Sequence, residues 1–500
     1  MDRPHTELVR QAKLMDGVYE IAAKPLELSG LDCHRAGMTR ALLLVMLALA
    51  ASAHADWSNL GGNDGRNGLV PHINGPISPT VRWTGAPNSL IAWTPIVLGT
   101  RVFTVRQVTA TAPISGAPFD SPVVAMSLET GAVLWTFYCP FTTGDWSTVV
   151  YGARNGRVFV GRGGNGGSAS APVYCLDAAS GTVLWTSTDE VATGAYDGVV
   201  FADDGDPIFA WHLWIKRIDA ETGATIWTTP RSCSVSGDCG PARSGDSIYI
   251  DEVGPGGQVV SRLDLATGAK LYQSQLMPGF LSQNTPFCAP DPTGKGRLVF
   301  YPRTQSNQTV DFLYAYRDTG TGFQLLWTAP ALAGAGIQHA ITPDGGVVMV
   351  GFAGKLEVRD QLTGILRHQT ATAVNASPNQ SHIAVDRVGR IFYGNGGFPG
   401  TITSFSPSLI PRWSFSVPNL NQGGPVIADD GTMLVAGVGT NFTAYATAPC
   451  VPADLNCDGT VGPADLALLL NAWDDPRGDL TGDGTTASDD IAVLLNAWTG

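Results

Sequence analysis

Near the carboxy end, oxygen-bearing side chains recur at the same intervals in two stretches 25 residues apart. The first offers Asp454, Asn456, Asp458 and Asp465; the second offers Asp479, Thr481, Asp483 and Asp490. They fall at positions 1, 3, 5 and 12 of a loop, with Gly459 or Gly484 at position 6 and the carbonyl of Thr460 or Thr485 at position 7. Several hard oxygens folded around one point, with glycine at the sharp turn, is the chemistry of calcium, and two loops imply two ions. Residues 450–500 hold nine acids and one base, so −8 of the chain's −13 lies here. Carboxylates at that density repel unless a cation sits among them. Each loop runs into a helix-period pattern, Leu466, Leu469, Leu470 and Trp473, then Ile491, Leu494, Leu495 and Trp498. That is one apolar face repeated, and the two faces are expected to bury each other.

The doubled EF-hand-like loop and helix, with no entering helix and Asp at position 12, resembles a type I dockerin. The resemblance implies a small calcium-dependent module that plugs an extracellular protein into a cohesin-like partner. It assigns Asp454, Asn456, Asp458, Thr460 and Asp465 to one ion, and Asp479, Thr481, Asp483, Thr485 and Asp490 to the other. Thr481 is a weaker ligand than the Asn456 it matches. Loop positions 10 and 11, often Ser-Thr in cellulosomal dockerins, are Pro463-Ala464 and Ser488-Asp489.

The elements ahead of this module are of another kind. Residues 81–446 are rich in strand formers and glycine, and one phrase returns: Asp177 to Gly181 and Trp185, Asp219 to Gly223 and Trp227, Asp264 to Gly268 and Tyr272. An earlier copy is Ser127 to Gly131 and Trp135, and weaker copies lie around Gly322-Trp327, Gly364 and Trp413. The glycine steps are 50, 42, 45, 54 and 42 residues, the period of a four-stranded propeller blade. Asp can bond turn amides, Gly takes the positive φ, and Trp offers a flat ring to wedge between sheets. A second hairpin recurs eight times, near residues 96, 151, 200, 242, 288, 342, 384 and 427, against seven Trp-type phrases. The strand around Trp83 supplies the missing partner. The expected fold is an all-β, eight-bladed propeller whose last blade is closed by this N-terminal strand beside Phe442–Tyr445, followed by the small helical module.

The phrase resembles the repeat of pyrroloquinoline-quinone-type propellers. The entry Trp57 to Asn63, with Arg66-Asn67-Gly68, resembles the opening of the outer-membrane assembly lipoprotein group of that superfamily. Fold follows from this resemblance; activity does not, because propellers host many. Quinoproteins of the superfamily carry adjacent cysteines against the quinone. This chain has no such pair and no C-x-x-C-H for haem, so no quinone cofactor is expected. Gly161, Gly163 and Gly166 form a G-x-G-x-x-G between strands and so read as a blade loop, not a dinucleotide site. Asp203-Asp204 and Asp429-Asp430 precede Gly in a repeated hairpin and read as turn formers. His72, His212, His339, His368 and His382 are scattered singly, and the acidic balance excludes nucleic acid.

Arg40, the apolar run 41–51 and Ala53-His54-Ala55 make a secretory signal over about residues 38–55, too short for a permanent membrane anchor. Residues 1–37 read as an over-extended start before Met38. The expected plan is leader 1–55, entry segment 56–80, propeller 81–446, linker 447–453 and module 454–500. An exported chain permits disulfides, with Cys233–Cys239 and Cys450–Cys457 as candidates, Cys139–Cys175 as a third, and Cys288 left free. The leading expectation is a secreted (alternatively periplasmic) non-enzymatic binding propeller tethered through its dockerin, its propeller open to a glycan or protein ligand. The alternative is a component of polysaccharide degradation, a hydrolase of O-glycosyl bonds. A third reading, an outer-membrane assembly factor, is opposed by the missing lipid-anchor Cys and the added module.

Overall fold

The computed structural model describes residues 57–85, 93–106, 122–140, 145–164, 172–188, 198–211, 213–233, 240–278, 285–303, 311–332, 338–377, 381–447, 451–455, 460–473, 478–481 and 483–499. Eight antiparallel sheets follow one another, and each takes four consecutive strands except the last. Blade 1 runs Ile96–Leu98, Arg101–Val105, Val123–Ser127 and Val133–Phe137. Blades 2 to 7 repeat that meander from inner strands beginning at Asp145, Val199, Ala242, Phe287, Ala340 and His382. Blade 4 adds a fifth short strand, Met277–Pro278, beside Gly257–Asp264. Blade 8 has only three late strands, Val426–Ile427, Met433–Ala436 and Phe442–Ala446; its outer strand is Thr80–Gly85. Trp83 stands opposite Ala444 and Gly85 opposite Phe442, so the ring closes as the hairpin count requires.

The repeated phrase supplies the contact between blades. Asp177 Oδ1 accepts the amides of Ala179 and Ser180, and Asp219 Oδ1 those of Glu221 and Thr222. The Ser180 and Thr222 hydroxyls, then the same residues' amides, hold these carboxyls below their ordinary range. The closing glycine sits at φ 73° in Gly181 and 75° in Gly223. Its missing side chain admits the neighbour's indole: a Cβ on Gly181 would lie 2.6 Å from the Trp135 ring. Each ring is pinned by its N–H, with Trp135 donating to Ala178 O, Trp185 to Ala220 O, Trp227 to Leu265 O and Trp327 to Gln361 O. Trp83 donates to Leu128 O across the closing seam, 2.8 Å. Two blades depart from the pattern. Tyr272 replaces the indole in blade 4 and bonds Asp318 of blade 5 at 2.5 Å, while His368 occupies the position in blade 6 and is exposed. The inner and second strands are buried almost throughout, whereas outer strands alternate. The core is therefore a ring of inter-blade layers.

The C-terminal module contains helix α1 (Pro463–Asn471) and helix α2 (Ser488–Asn496). Leu469 and Leu494 are fully buried, with Leu466, Leu480 and Ile491 packed against them. The expected mutual burial is only half realised. Leu470, Trp473, Leu495 and Trp498 are exposed, because helices of nine residues meet along one narrow seam. The Cys139–Cys175 bridge is not formed: Cys175 is a free thiol, buried in its strand, and desolvation pushes it up to about 12. Cys288 is also a free, buried thiol, as expected. Cys239, Cys450, Cys457, His212 and the leader lie outside the described residues, and the other two pairings with them. No helix among the described residues is long and apolar enough to cross a membrane.

Candidate functional site

The entry segment, residues 57–77, circles one end of the propeller axis and answers the inner strands one by one. Val97 of blade 1 donates its amide to Trp57 O, and Ala153 of blade 2 to Ser58 O. Phe201 of blade 3 donates to Asp64 Oδ1 at 2.9 Å, and Arg243 of blade 4 to Asp64 O at 2.7 Å. Cys288, Ile341 and Val385 of blades 5, 6 and 7 donate to the carbonyls of Gly65, Asn67 and Gly68. These amides form the free edge of each sheet, and leaving them buried without acceptors is costly. The Asp64 carboxylate also pairs with Arg154 at 3.0 Å and Arg243 at 3.4 Å, tying blades 2 to 4 through one side chain. Arg387 donates to Ile73 O in the first turn of blade 7, so the segment lies at the end bearing the turn between first and second strands. The entry segment thus lines the inner strands at that end.

The axis is also narrow three residues further along the inner strands. Thr94 of blade 1 touches His382 of blade 7 at 3.3 Å, passing in front of blade 8, and donates its hydroxyl to Gln422 O at 3.0 Å. Thr94 has one proton, already given, so His382 Nδ1–H is the donor to it and Nε2 carries the lone pair. Gln338 donates to Leu60 O at 2.9 Å, and Leu60 with the Arg66 guanidinium fills the space beside Gly198. His339 stacks on Phe287. Burial alone lowers His339 to about 4 and His382 to about 3, so both rings are neutral at pH 7. The sequence holds no adjacent cysteine pair.

The acidic pairs noted in the sequence are split between separate partners. Asp203 pairs with Arg243 and Asp204 with Arg217, while Asp429 meets His72 and Asp430 meets Arg82. Asp204 and Asp430 also accept the amides of Asp206 and Thr432, as turn formers do. A surface cleft of about 660 Å³ between blades 8 and 1 is lined by Arg82, Arg101, Glu129, Asp429 and Asp430. Gly161 and Gly163 lie within the strand Arg157–Gly164, and Gly166 lies outside the described residues.

In the C-terminal module, Asn456 and Asp458 fall outside the described residues, whereas Asp454 and Asp465 are buried and Thr460 is exposed. The second loop is described at every ligand position. Asp479 turns inward, its carboxylate accepting the amide of Gly484 at 2.7 Å, with the Thr481 hydroxyl 3.3 Å away. Asp483 accepts from the Thr485 amide. Asp490 is engaged elsewhere: Oδ2 takes the amide of Ala487, and Oδ1 those of Leu480 and Thr481. These amides hold its carboxyl below the ordinary range. Asp465 makes the matching bond to Gly462, so the position-12 aspartate in each repeat caps its own helix. The donor set, all oxygen, is that of a hard cation. Among the described residues, however, no three acidic, His or Cys side chains converge to hold a metal.

Sequence reasoning missed the part played by Asp64 and Asn67, because an entry segment's backbone partners leave no periodic trace.

Eight antiparallel blades, six of them carrying the wedging indole, define a propeller of the pyrroloquinoline-quinone-like repeat class. The chain belongs to the family whose profile, described as outer membrane protein assembly factor BamB, matches residues 120–211 and 212–397, more than half its length. No curated protein matches it in sequence. Among solved structures it is similar to quinohemoprotein alcohol dehydrogenase from Comamonas testosteroni, at 13% identity and TM-score 0.53, covering 80% of this chain and 81% of that one. Quinohemoprotein alcohol dehydrogenase ADHIIG from Pseudomonas putida HK5 gives 13% identity, TM-score 0.54, and 78% and 80% coverage. BamB from Moraxella catarrhalis gives 13% identity, TM-score 0.47, and 68% and 99% coverage. The likeness to the two dehydrogenase structures, at 13% identity, shows the fold alone.

Proposed function

We propose that this chain is a secreted, non-catalytic binding propeller, tethered to a cohesin-like partner through its calcium-dependent C-terminal module. The observation that carries the tether is the twofold repeat of exposed apolar residues, Leu470 with Trp473 and Leu495 with Trp498, at and just past the C-terminal ends of the two helices. Large exposed side chains duplicated in register are what a docking surface requires, and a free module has no use for them. Calcium, when bound, would neutralise the oxygen-rich loops from which those helices start. In the second loop Asp479, Thr481, Asp483 and Thr485 would hold it. The non-catalytic reading is supported by acidic side chains committed singly to turns and ion pairs. It is also supported by the absence from the sequence of the vicinal cysteines and haem-attachment motif that quinone-dependent oxidation requires.

Immobilised full-length chain presented with cohesin-type domains, in calcium and then in chelator, tests the tether. Capture in calcium, lost in chelator and weakened in Leu470→Ala/Trp473→Ala, is the expected result. Capture indifferent to both would remove the tether. Reconstitution with the quinone and calcium, followed by dye reduction over alcohols and sugars, is expected to give no turnover above a heat-killed control.

A further inference from the structure

Between blades 2 and 3 the repeat carries an ion pair that blade 1 only half inherits. Arg157 opens the second strand of blade 2 and meets Glu221, two residues past Asp219 in the turn of blade 3. Arg101 opens the second strand of blade 1 in the same register, Leu98 standing opposite Arg101 as Arg154 stands opposite Arg157. Blade 2, however, has Ala179 two residues past Asp177, where blade 3 has Glu221. The Ser180 bonds chiefly lower the Asp177 carboxyl and the Thr222 bonds that of Asp219; Arg101 adds to the first as Arg157 adds to the second, so the two arginines stand alike. Glu129, two residues past Ser127, is the blade 1 counterpart of Glu221, and the second strand of blade 8, Met433–Ala436, holds no arginine to meet it. Blade 1 therefore keeps one base and one acid, each without the partner the repeat supplies between blades 2 and 3. Among the described residues neither forms an ion pair, and Arg101 Nε is buried with no acceptor.

Both leftover charges line the cleft of about 660 Å³ between blades 8 and 1, a size usual for small-molecule sites. The other charged side chains lining it are already paired: Arg82 holds Asp430, and Asp429 meets His72. Leu134, half exposed, adds an apolar wall. We propose that this cleft binds a small zwitterion, an amino acid or short peptide with an apolar side chain, its carboxylate on the Arg101 guanidinium and its ammonium on the Glu129 carboxylate. The proposal deepens the binding-propeller reading and rests on it. A guanidinium forks onto a carboxylate through two parallel bonds, which fixes the orientation of the ligand. A simple anion would answer Arg101 but face Glu129, Asp429 and Asp430, and a simple cation would face two arginines. A zwitterion offers each unpaired group its opposite. A metal ion does not suit the cleft, because Asp429 and Asp430 are held by other partners and no three acidic, His or Cys side chains converge among the described residues.

Calorimetric titration of the full-length chain with leucine and leucyl-leucine, and with the N-acetyl and amide forms of each, provides the test. At least one zwitterion is expected to bind, and each cap, which removes one charge, to weaken binding about tenfold. Arg101→Gln should abolish the difference between the zwitterion and its amide, and Glu129→Gln that between the zwitterion and its N-acetyl form. Ala179→Glu gives Arg101 the partner that Glu221 gives Arg157, so it should remove binding while the melting temperature holds or rises. Should that variant melt lower, the capping comparison in Arg101→Gln decides alone. Calcium-dependent capture by cohesin-type domains should be equal in all three variants, so a failure here is distinguishable from a failure of the tether. Absence of binding by both zwitterions overturns the proposal, as does binding that capping leaves unchanged or that survives Ala179→Glu in a chain of undiminished melting temperature.

Discussion

A single methyl group at one turn glycine reaches into the neighbouring blade. Gly181 and Gly156 share nearly the same backbone, φ 73° and 75°, but a Cβ meets the Trp135 ring at 2.6 Å in the first and nothing within 4 Å in the second. Gly156→Ala should therefore cost only backbone strain, about 1 kcal/mol, and Gly181→Ala that strain plus displacement of the indole, about 3 kcal/mol together. Urea denaturation of both variants checks the difference; equal midpoints would mean that the indole contact carries no stability. The two axial histidines make a second prediction at this scale. Their folded values, about 4 and about 3, lie below the ordinary histidine range, so the unfolded chain takes up protons first as pH falls. Their contribution is complete above about pH 6.5 and is lost progressively toward pH 3–4, by about 3 kcal/mol for His339 and about 5 kcal/mol for His382. His382→Gln should flatten that acid limb in a pH series of melting temperatures. A limb of unchanged slope would show that the ring is not buried neutral.

Among the elements, the hairpins were legible because turn chemistry and burial agree in them. Asp177 and Asp219 bond the amides their spacing suggested, and Gly181 and Gly223 take the positive φ. What could not be read was anything decided by distant partners. Nothing around Asp64 marks it as the acceptor for blade 3, and the nine-residue length of each module helix, which leaves Leu470 and Leu495 exposed, is set by loop geometry and not by periodicity. The loops themselves were legible as oxygen donors, yet one oxygen of Asp465 and one of Asp490 accept the N-cap amide of their own helix. The two repeats should accordingly respond differently to calcium. Asn456 offers an amide carbonyl where Thr481 offers a hydroxyl, and calcium is better served by the former. Asp454→Ala should thus weaken calcium-dependent gain of helix more than Asp479→Ala in the full-length chain, because ion binding and helix packing are coupled. Calorimetric titration of wild type and both variants decides it, and a chain that takes up no calcium is incompatible with the assignment.

Across the whole molecule, stability depends on closing a ring whose two ends are far apart in sequence. Thr80–Gly85 pairs with Phe442–Ala446, so blade 8 cannot be completed until the chain has been made almost to its end. The same N-terminal stretch has already contributed the entry segment, which accepts amides from seven inner strands. Removing residues 56–85 therefore does two things at once. It exposes Phe442–Ala446 as an unpaired edge, a template for intermolecular pairing, and it leaves buried inner-strand amides without acceptors. The truncated chain is expected to aggregate, with soluble yield falling by an order of magnitude or more. Asp64→Ala, which spares the closing strand but removes the acceptor for Phe201 and the partner of Arg154 and Arg243, should stay soluble and lose about 2–3 kcal/mol. Size-exclusion chromatography and thermal denaturation of the two variants separate edge closure from end capping. A truncated chain that elutes as a folded monomer would show that neither the strand around Trp83 nor the entry segment is needed to hold the eight blades in a ring.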